Sequence, residues 1–316
     1  MPKVSVIIPT YNRAKLLPAA IQSALDQTFQ DLEIIVVDDA SPDNTADVVA
    51  GFKDSRIRYV RHSANKGEAG TRNTGLRHVS GDFIAFLDDD DLWLPEKLEK
   101  QMRLLESSPP RVGAVYCGFT RVERSTGNVI GETKPEKRGD IFRDMVLENC
   151  VVGGGSTVLL RKRCLGEVGE FDEEIPFGPD YDMWIRVSQK FQFDFINEPL
   201  MIYHEHTDRM STNYPLMIAG LEAQLRKYGH LFAGNRRSYS EKYRSLGSHY
   251  LRIGNPSRGR QAFLKALCLY PLEPRNYFYF LASCLGLQNY KRLMVVKQRI
   301  VRAPWNGSTR PSSIRS

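Results

Sequence analysis

Two groups of acidic side chains are the residues of this sequence best placed to do chemistry. The first is a run of four aspartates at 88–91, which follows an apolar run at 83–87. Carboxylates crowded at one strand end repel one another, and a hard cation such as Mg2+ or Mn2+ would neutralise them while binding substrate phosphates. A solvated run that caps the next helix is the alternative, because aspartate is favourable at a helix start. The run by itself favours the metal site.

The second group is Asp180 and Asp182, which precede an apolar helical pattern that contains Trp184. A carboxylate held at a helix N-terminus stays ionised and in place, and beside a cleft it can act as a general base. An ordinary helix cap fits the same spacing, and the spacing alone favours the cap. Both interpretations stay open at this point.

Two other motifs invite a ligand-binding interpretation. The glycines at 153–155 precede Ser156 and Thr157 but lack the Gly-Lys-Ser/Thr ending of a phosphate-binding loop. A backbone turn that shapes a cleft is therefore the favoured interpretation. His204 and His206 could bind a metal, but their spacing is not that of the HExxH zinc motif.

The elements that must position these residues alternate between strand and helix patterns. Strand-like runs occur at 4–8, 33–37, 56–60 and 83–87. The first is short and almost continuously apolar, which is typical of a strand buried on both faces of a parallel sheet. With helices between them and short right-handed crossovers, they predict an open, mostly parallel, doubly wound α/β sheet of the Rossmann-like type. Ligands bind at the carboxyl ends of such strands, where Tyr11, Asp39 and the aspartate run would meet.

Composition limits the class of protein. A chain of 316 residues with 41% hydrophobic and 26% charged residues is neither disordered nor fibrous. The five cysteines are scattered and form no CxxC pair, which indicates reduced thiols in a cytosolic setting. No secretory signal is visible at the start, and no apolar stretch approaches the roughly 18 residues of a membrane span.

Charge divides the chain into an acidic and a basic part. Residues 226–316 contain 18 Lys/Arg and two Glu, whereas residues 1–225 contain 26 basic and 35 acidic side chains. The apolar stretch 277–287 is too short to span a bilayer, and 291–302 has the pattern of a basic amphipathic helix. We expect peripheral contact with an anionic membrane, and packing of these helices on the catalytic domain is the alternative. Nucleic acid is not expected as a partner, because no binding motif accompanies the charge.

Five motifs in a fixed order provide a resemblance. They are VSVIIPTYNR at 4–13, IIVVDDAS at 34–41, NKG with TRNTG at 65–75, FLDDDD at 86–91 and DYDMWIR at 180–186. Together they closely resemble family 2 glycosyltransferases with the GT-A fold, over about residues 3–210. A single DxD is common by chance, but this ordered set is not.

The resemblance implies a nucleotide site. Pro9, Thr10 and Tyr11 would line it, with the Tyr11 ring against the base. Asp39 would hydrogen-bond the base or ribose. Arg72 would lie near the diphosphate or support Asp39.

The resemblance also implies a metal site and a base. Asp88 and Asp90 would form the DxD element that binds Mn2+ or Mg2+, with Asp90 as the direct ligand, and Asp89 would contact the ribose. His206 would begin a mobile loop and contact the metal or diphosphate. Asp180 would be the catalytic base. Two residues complicate that assignment, because Pro179 stands where the family has an acidic residue and Asp182 is an alternative base.

The predicted function is inverting transfer from a nucleoside-diphosphate sugar, a UDP-sugar, to a glycan or polyprenyl-linked acceptor in surface polysaccharide synthesis. The enzyme would act in the cytoplasm, on the inner face of the plasma membrane. The predicted parts are a catalytic domain at 1–215, divided near residue 110 into nucleotide-sugar and acceptor halves, a basic helical extension at 216–303 and a disordered tail at 304–316.

The main rivals are a nucleotidyltransferase and a non-catalytic binding module. A nucleotidyltransferase of related fold would carry a glycine-rich loop with a lysine after the first strand, where this chain has Pro9-Thr10-Tyr11-Asn12. A dehydrogenase is disfavoured in the same way, because no GxGxxG follows that strand. A non-catalytic nucleotide- or sugar-binding module is supported by Pro179 alone.

Overall fold

The computed structural model describes residues 1–205, 212–290 and 293. The chain divides into two compact units, the first covering Met1–Ser238 and the second beginning at Tyr239. We predicted that the helical extension would begin near residue 216. In the structure the helix Tyr214–Phe232 belongs to the first unit.

One mixed sheet forms the centre of the first unit. Its strands are β1 (Val4–Thr10), β2 (Leu32–Asp38), β3 (Ile57–Arg61), β4 (Phe83–Phe86), β5 (Asp91–Trp93), β6 (Val112–Glu123), β7 (Val129–Thr133), β8 (Leu159–Arg161) and β9 (Gln192–Glu205). Within the described residues their order is β3-β2-β1-β4-β8-β6-β9-β5, with β7 paired to β6. The pairs among β3, β2, β1 and β4 are parallel, as is β6 with β9, and the remaining pairs are antiparallel. The predicted doubly wound α/β sheet is confirmed.

Helices pack against this sheet. They are α1 (Leu17–Leu25), α2 (Thr45–Gly51), α3 (Gly67–Leu76), α4 (Lys97–Ser107), α5 (Phe142–Leu147), α6 (Arg163–Val168), α7 (Pro179–Ser188) and α8 (Tyr214–Phe232). Val4, Val6 and Ile8 of β1 are fully buried, and so is Ile7 on the opposite face of the strand. The continuous apolar run of β1 is thus explained by burial on both faces of the sheet.

The second unit is helical, as predicted. Its elements are α9 (Arg236–Arg252), which begins just before the unit boundary, α10 (Pro256–Leu269) and α11 (Pro274–Cys284). A small core unites Leu251, Phe263, Ala282 and Tyr290. The predicted amphipathic helix at 291–302, apart from Leu293, and the predicted disordered tail at 304–316 lie outside the described residues. In the described part of the chain, no helix is both long and apolar enough to cross a membrane.

Candidate functional site

The polar residues predicted to share one sheet edge do come together. The strands β2, β1 and β4 are parallel neighbours, so their carboxyl ends lie side by side. Asp39 follows β2 and donates its N–H to the carbonyl of Thr10 at 2.9 Å. The Tyr11 side chain is 48% exposed, so its ring is available to a ligand. The edge therefore brings an exposed aromatic ring, the buried Asp39 and the aspartate run together.

Asp39 is buried and held by three donors. Its Oδ1 accepts from His62 Nδ1 at 2.7 Å and from the Lys66 N–H at 2.7 Å, and its Oδ2 accepts from the Gly67 N–H at 2.9 Å. The last two bonds cap the start of α3. A neutral imidazole that donates from Nδ1 accepts at Nε2, and His62 Nε2 lies 2.8 Å from the Thr74 hydroxyl.

His62 was not among the predicted site residues. It directly follows β3, the strand next to β2, so the strand-end rule that located Asp39 could also have located it. Asp39 is supported by His62 and by backbone N–H groups. Arg72, which the resemblance placed near the diphosphate or in support of Asp39, contacts Glu68 and Asp88.

The aspartate run divides among different partners. Asp88 accepts from Arg72 at 2.7 Å, whereas Asp89 and Asp90 both contact Arg13, at 3.1 Å in the case of Asp89. Asp91 begins β5 and is buried, and its burial raises its pKa well above the usual range. Arginines thus contact the first three carboxylates of the run, and the fourth is buried.

Arg13 also received no role from the sequence, although it closes the first of the five motifs. It follows β1 by three residues, and its ion pairs with Asp89 and Asp90 join the ends of β1 and β4. Burial raises the pKa of Asp89 to about 7, an effect that the charge of Arg13 opposes and that of Asp90 reinforces. His204 Nδ1 donates to the Asp90 carbonyl at 3.1 Å. The predicted ligand His206 lies outside the described residues.

Arg72 is a buried cation that lies among Glu68, Asp88 and Asp180. It is 2% exposed and is bonded to Glu68 and Asp88, and its charge also acts on Asp180. Burial raises the pKa of Glu68 to about 7, against the opposing effect of Arg72. One buried guanidinium thus couples three carboxylates from α3, the end of β4 and α7.

Asp180 lies in the first turn of α7, after Pro179 at the first helical position. Burial raises the pKa of Asp180, the charge of Arg72 opposes this, and Asp88 adds to it. A carboxyl whose pKa is shifted upward from that of a surface aspartate is better suited to accept a proton near neutral pH.

The glycine motif forms a turn beside this carboxylate, in agreement with its interpretation as a cleft-shaping turn. Gly154 has φ +64°, and a Cβ placed on it would lie 3.2 Å from Asp180 Oδ2. Ser156 follows in the same turn, where its hydroxyl accepts from the Asp88 N–H at 3.0 Å and its carbonyl accepts from Trp93 Nε1 at 2.7 Å. The turn therefore links the backbone of the aspartate run to the position of Asp180.

Asp182, the alternative base, lies in a different environment from Asp180. It is fully buried and accepts from Tyr228 at 2.6 Å, and it forms ion pairs with Arg186 at 2.8 Å and Lys227 at 2.6 Å. These partners occupy both of its oxygens and connect α7 to α8.

The carboxylates fit part of a metal site. The side chains of Asp88 and Asp90 are 35% and 18% exposed, and they are hard oxygen donors of the kind that Mg2+ and Mn2+ prefer. Among the described residues, no group of three or more His, Cys, Asp or Glu is arranged to hold a metal. A cation here would need oxygens from a bound diphosphate as well as those of the protein.

Sequence comparisons place this chain among known proteins. The model of the family described as Glycosyl transferase family 2 matches residues 5–169. The chain is 43% identical over 192 residues to WfaP of Escherichia coli, a UDP-Glc:α-D-GlcNAc-diphosphoundecaprenol β-1,3-glucosyltransferase, covering 60% of this chain and 72% of WfaP. It is 34% identical over 195 residues to WfgD of E. coli, which has the same described activity, covering 61% of this chain and 73% of WfgD. An uncharacterized glycosyltransferase of Rickettsia typhi is 31% identical over 238 residues, 74% of this chain and 71% of its own.

Solved structures share the fold at low sequence identity. TarS 1–349 of Staphylococcus aureus in complex with UDP-GlcNAc aligns with a TM-score of 0.63 at 16% identity, covering 96% of this chain and 93% of that one. The mannosyltransferase PcManGT of Pyrobaculum calidifontis in complex with GDP-Man and Mn2+ aligns with a TM-score of 0.54 at 19% identity, covering 97% and 88%. Identities this low establish similarity of fold, and the predicted GT-A architecture is confirmed.

Proposed function

This chain belongs to glycosyl transferase family 2, and from that premise we propose that it is an inverting enzyme that transfers a sugar from a UDP-sugar to a lipid-linked acceptor. The observation that carries the proposal is the placement of two carboxylate groups around Arg72. Asp88 lies at the strand end with the nucleotide residues, and Asp180 faces it from α7. Sugar transfer needs these two charges for different purposes, one at the leaving group and one at the acceptor.

The donor would bind at the ends of β1, β2 and β4. The exposed Tyr11 ring can stack on a base, and Pro9 and Thr10 at the end of β1 would line the site beside it. Asp39, with its carboxylate held by His62 and the start of α3, would accept a hydrogen bond from the base or ribose. Asp89, next to Arg13, would contact the ribose. The UDP-GlcNAc complex of the similarly folded TarS supports a uridine nucleotide here.

The chemistry would be a single displacement. Asp180 accepts the proton of the acceptor hydroxyl while that oxygen attacks the anomeric carbon of the sugar. The bond from this carbon to the diphosphate oxygen breaks at the same time, its electron pair leaves with UDP, and the configuration at the carbon inverts. Arg72 would hold Asp88 in place and keep Asp180 more acidic than burial alone would make it.

A divalent cation would be held by Asp88 and Asp90, with Asp90 as the direct ligand. When bound, it would stabilise the negative charge that develops on the leaving diphosphate. Arg13 contacts Asp89 and Asp90 in the structure, so it would have to share Asp90 with the metal. The Mn2+ in the PcManGT complex supports this cofactor for the shared fold.

The acceptor would be a sugar carried on a polyprenyl diphosphate. WfaP and WfgD act on an acceptor of this kind, and the basic C-terminal part of the chain suits the anionic face of a membrane. We propose that the enzyme works in the cytoplasm as a peripheral protein on the inner face of the plasma membrane, in the synthesis of a surface polysaccharide.

The test is calorimetric titration of UDP, GDP and dTDP into the full chain, first with Mn2+ and then with EDTA. We expect UDP to bind only when the metal is present, and we expect Asp90→Asn to abolish this binding. Asp31→Asn is the matched control, because Asp31 is an exposed aspartate directly before β2, and this variant should bind UDP as the wild type does. Absence of binding by all three nucleotides in a folded protein would contradict the donor site. Binding without turnover of any UDP-sugar would favour a non-catalytic module.

A further inference from the structure

We infer that the C-terminal unit is a tetratricopeptide-type helical repeat and that the outer face of its helix α11 docks on an anionic lipid surface. The inference rests on the proposed function, because an acceptor carried on a lipid gives a membrane contact its purpose. Its support is independent and comes from the second unit alone.

A repeat signature runs through α9 and α10. Tetratricopeptide repeats are helix pairs of about 34 residues with the pattern W-x2-L-G-x2-Y, then A-x3-F, then P. The matching residues are Tyr243, Leu246, Gly247 and Tyr250 in α9, Gly259 and Phe263 in α10, and Pro271 after α10. The spacing is kept throughout, with tyrosine in place of tryptophan and glycine in place of alanine.

The glycines and the phenylalanine of this pattern lie where α9 packs on α10. A Cβ on Gly247 would lie 2.7 Å from the ring of Phe263, and one on Gly259 would lie 3.0 Å from Leu251. Phe263 and Leu251 are both fully buried. The two glycines therefore let α9 and α10 touch, with Phe263 filling the space between them.

The inner face of α11 packs on this helix pair. Helix α11 begins at Pro274, one repeat length of about 34 residues after Ser240 of α9, and this is where a second repeat would begin. The buried Asn276 donates to the Ser240 hydroxyl at 2.8 Å and to the Tyr270 carbonyl at 2.9 Å. The Tyr279 ring lies 5.5 Å from the ring of Phe263. Helix α11 thus stacks on the pair as the first helix of a second repeat.

The outer face of α11 is apolar and exposed. Tyr277, Phe278, Leu281 and Leu285 are 45%, 40%, 61% and 59% exposed, and their spacing places them on one side of the helix. An exposed apolar face of this kind is typical of an interaction surface.

The charge of the unit selects the partner. Residues 239–290 carry seven Lys/Arg and two Glu, so a second copy of the unit would be repelled, whereas an anionic surface would attract it. Tyrosine and phenylalanine rings beside leucines are suited to the boundary between lipid headgroups and acyl chains. An anionic bilayer satisfies both the charge of the unit and the apolar face of α11.

The experiment is co-sedimentation of the full chain with vesicles of phosphatidylcholine, with and without phosphatidylglycerol. We expect binding only when phosphatidylglycerol is present. The double variant Tyr277→Ser/Leu281→Ser should bind these vesicles with an affinity lowered about tenfold. Val129→Ser/Ile130→Ser is the matched control, because these residues of β7 are 66% and 45% exposed in the first unit. The control should bind vesicles as the wild type does. Circular dichroism establishes that each variant is folded.

Equal vesicle binding by the α11 variant and the wild type would overturn the inference. So would failure of the folded wild type to bind anionic vesicles. Sedimentation velocity that shows a dimer in the wild type and a monomer in the α11 variant, with vesicle binding unchanged, would make α11 a self-association surface instead. UDP titration of the same samples separates the two proposals, because loss of UDP binding with vesicle binding intact would contradict the proposed function only.

Discussion

Arg72 donates a hydrogen bond of 2.7 Å to Asp88, and this contact joins helix α3 to the strand end that carries the aspartate run. The guanidinium also contacts Glu68 on its own helix and lies over the Phe171 ring, 5.6 Å from the ring centre. Because Arg72 is 2% exposed, each of these contacts is made away from bulk water. A buried cation with several partners sets both the stability and the electrostatics of the site.

Replacing Arg72 with methionine should destabilise the fold strongly. The substitution keeps most of the side-chain volume but leaves Glu68 and Asp88 without their cation, and breaking a buried pair in this way costs about 3–5 kcal/mol. Arg72→Lys retains the charge without the two-pronged geometry and should lose less. Urea denaturation of both variants measures the difference in free energy of unfolding. Equal stability of the methionine variant and the wild type would contradict the assigned role.

Asp180 and Asp182 should respond in opposite ways to substitution by asparagine. Asp180→Asn removes the proposed base and should lower kcat by about 10²- to 10⁴-fold while the melting temperature changes little. Asp182→Asn weakens the buried contacts with Arg186, Lys227 and Tyr228, so it should lower the melting temperature. Sugar-transfer assays and thermal melts of both variants test this. A dead but fully stable Asp182→Asn would revive Asp182 as the base.

The pH dependence of transfer should report Asp180. The base must be ionised, so kcat/KM is highest above its pKa and falls as the pH drops through it, at a pH above the ordinary aspartate value of 3.8 because burial raises this pKa. The charge of Arg72 opposes the effect of burial on the pKa of Asp180. Arg72→Met removes this charge and should move the acidic limb of the profile to higher pH. A shift to lower pH, or none, in the folded variant would contradict the coupling.

His62 should affect nucleotide affinity through Asp39. His62→Leu removes the donor to Asp39 Oδ1 and should weaken UDP binding about tenfold, the scale of one lost hydrogen bond to a charged group. His62→Gln restores a side-chain N–H and should recover part of the affinity. Calorimetric titration of UDP into both variants measures the two values. Equal losses in the leucine and glutamine variants would indicate a packing role for His62 instead.

Lys97 provides a prediction about stability that does not involve the site. Its ammonium is fully buried, donates to Gln101 at 2.9 Å and lies 4.0 Å from the centre of the Trp93 ring, and burial lowers its pKa to about 8. In the unfolded chain the pKa returns to near 10.5, so the unfolded state holds the extra proton between these values. The free energy of unfolding should therefore rise as the pH increases from about 8 to about 10.5.

Lys97→Met should lack this rise and should be more stable than the wild type at pH 7, by about 1–3 kcal/mol. Chemical denaturation at several pH values compares the two proteins. If the free energies of unfolding of the wild type and Lys97→Met changed equally from about pH 8 to about pH 10.5, the lowered pKa of Lys97 would be contradicted.

Much of the fold and part of the site were determined by the sequence itself. The continuous apolar runs defined β1, β2 and β4, because a strand buried on both faces has no polar side to show. The rule that ligand residues follow parallel strands then brought Tyr11, Asp39 and the aspartate run to one edge. The spacing of Tyr243, Gly247 and Phe263 belongs to the same class of local signal.

Only the tertiary structure decided which of these residues contact one another. Asp180 and Asp182 occupy the same helical turn and look alike in sequence, yet α8 covers Asp182 and the glycine turn faces Asp180. Arg13 reaches Asp90, 77 positions along the chain, through the order of the strands. Contacts of this kind depend on packing between distant elements, so a pattern of neighbouring residues does not predict them. Local periodicity thus fixes the elements, and their packing decides which carboxylate is buried, which is paired and which is left to react.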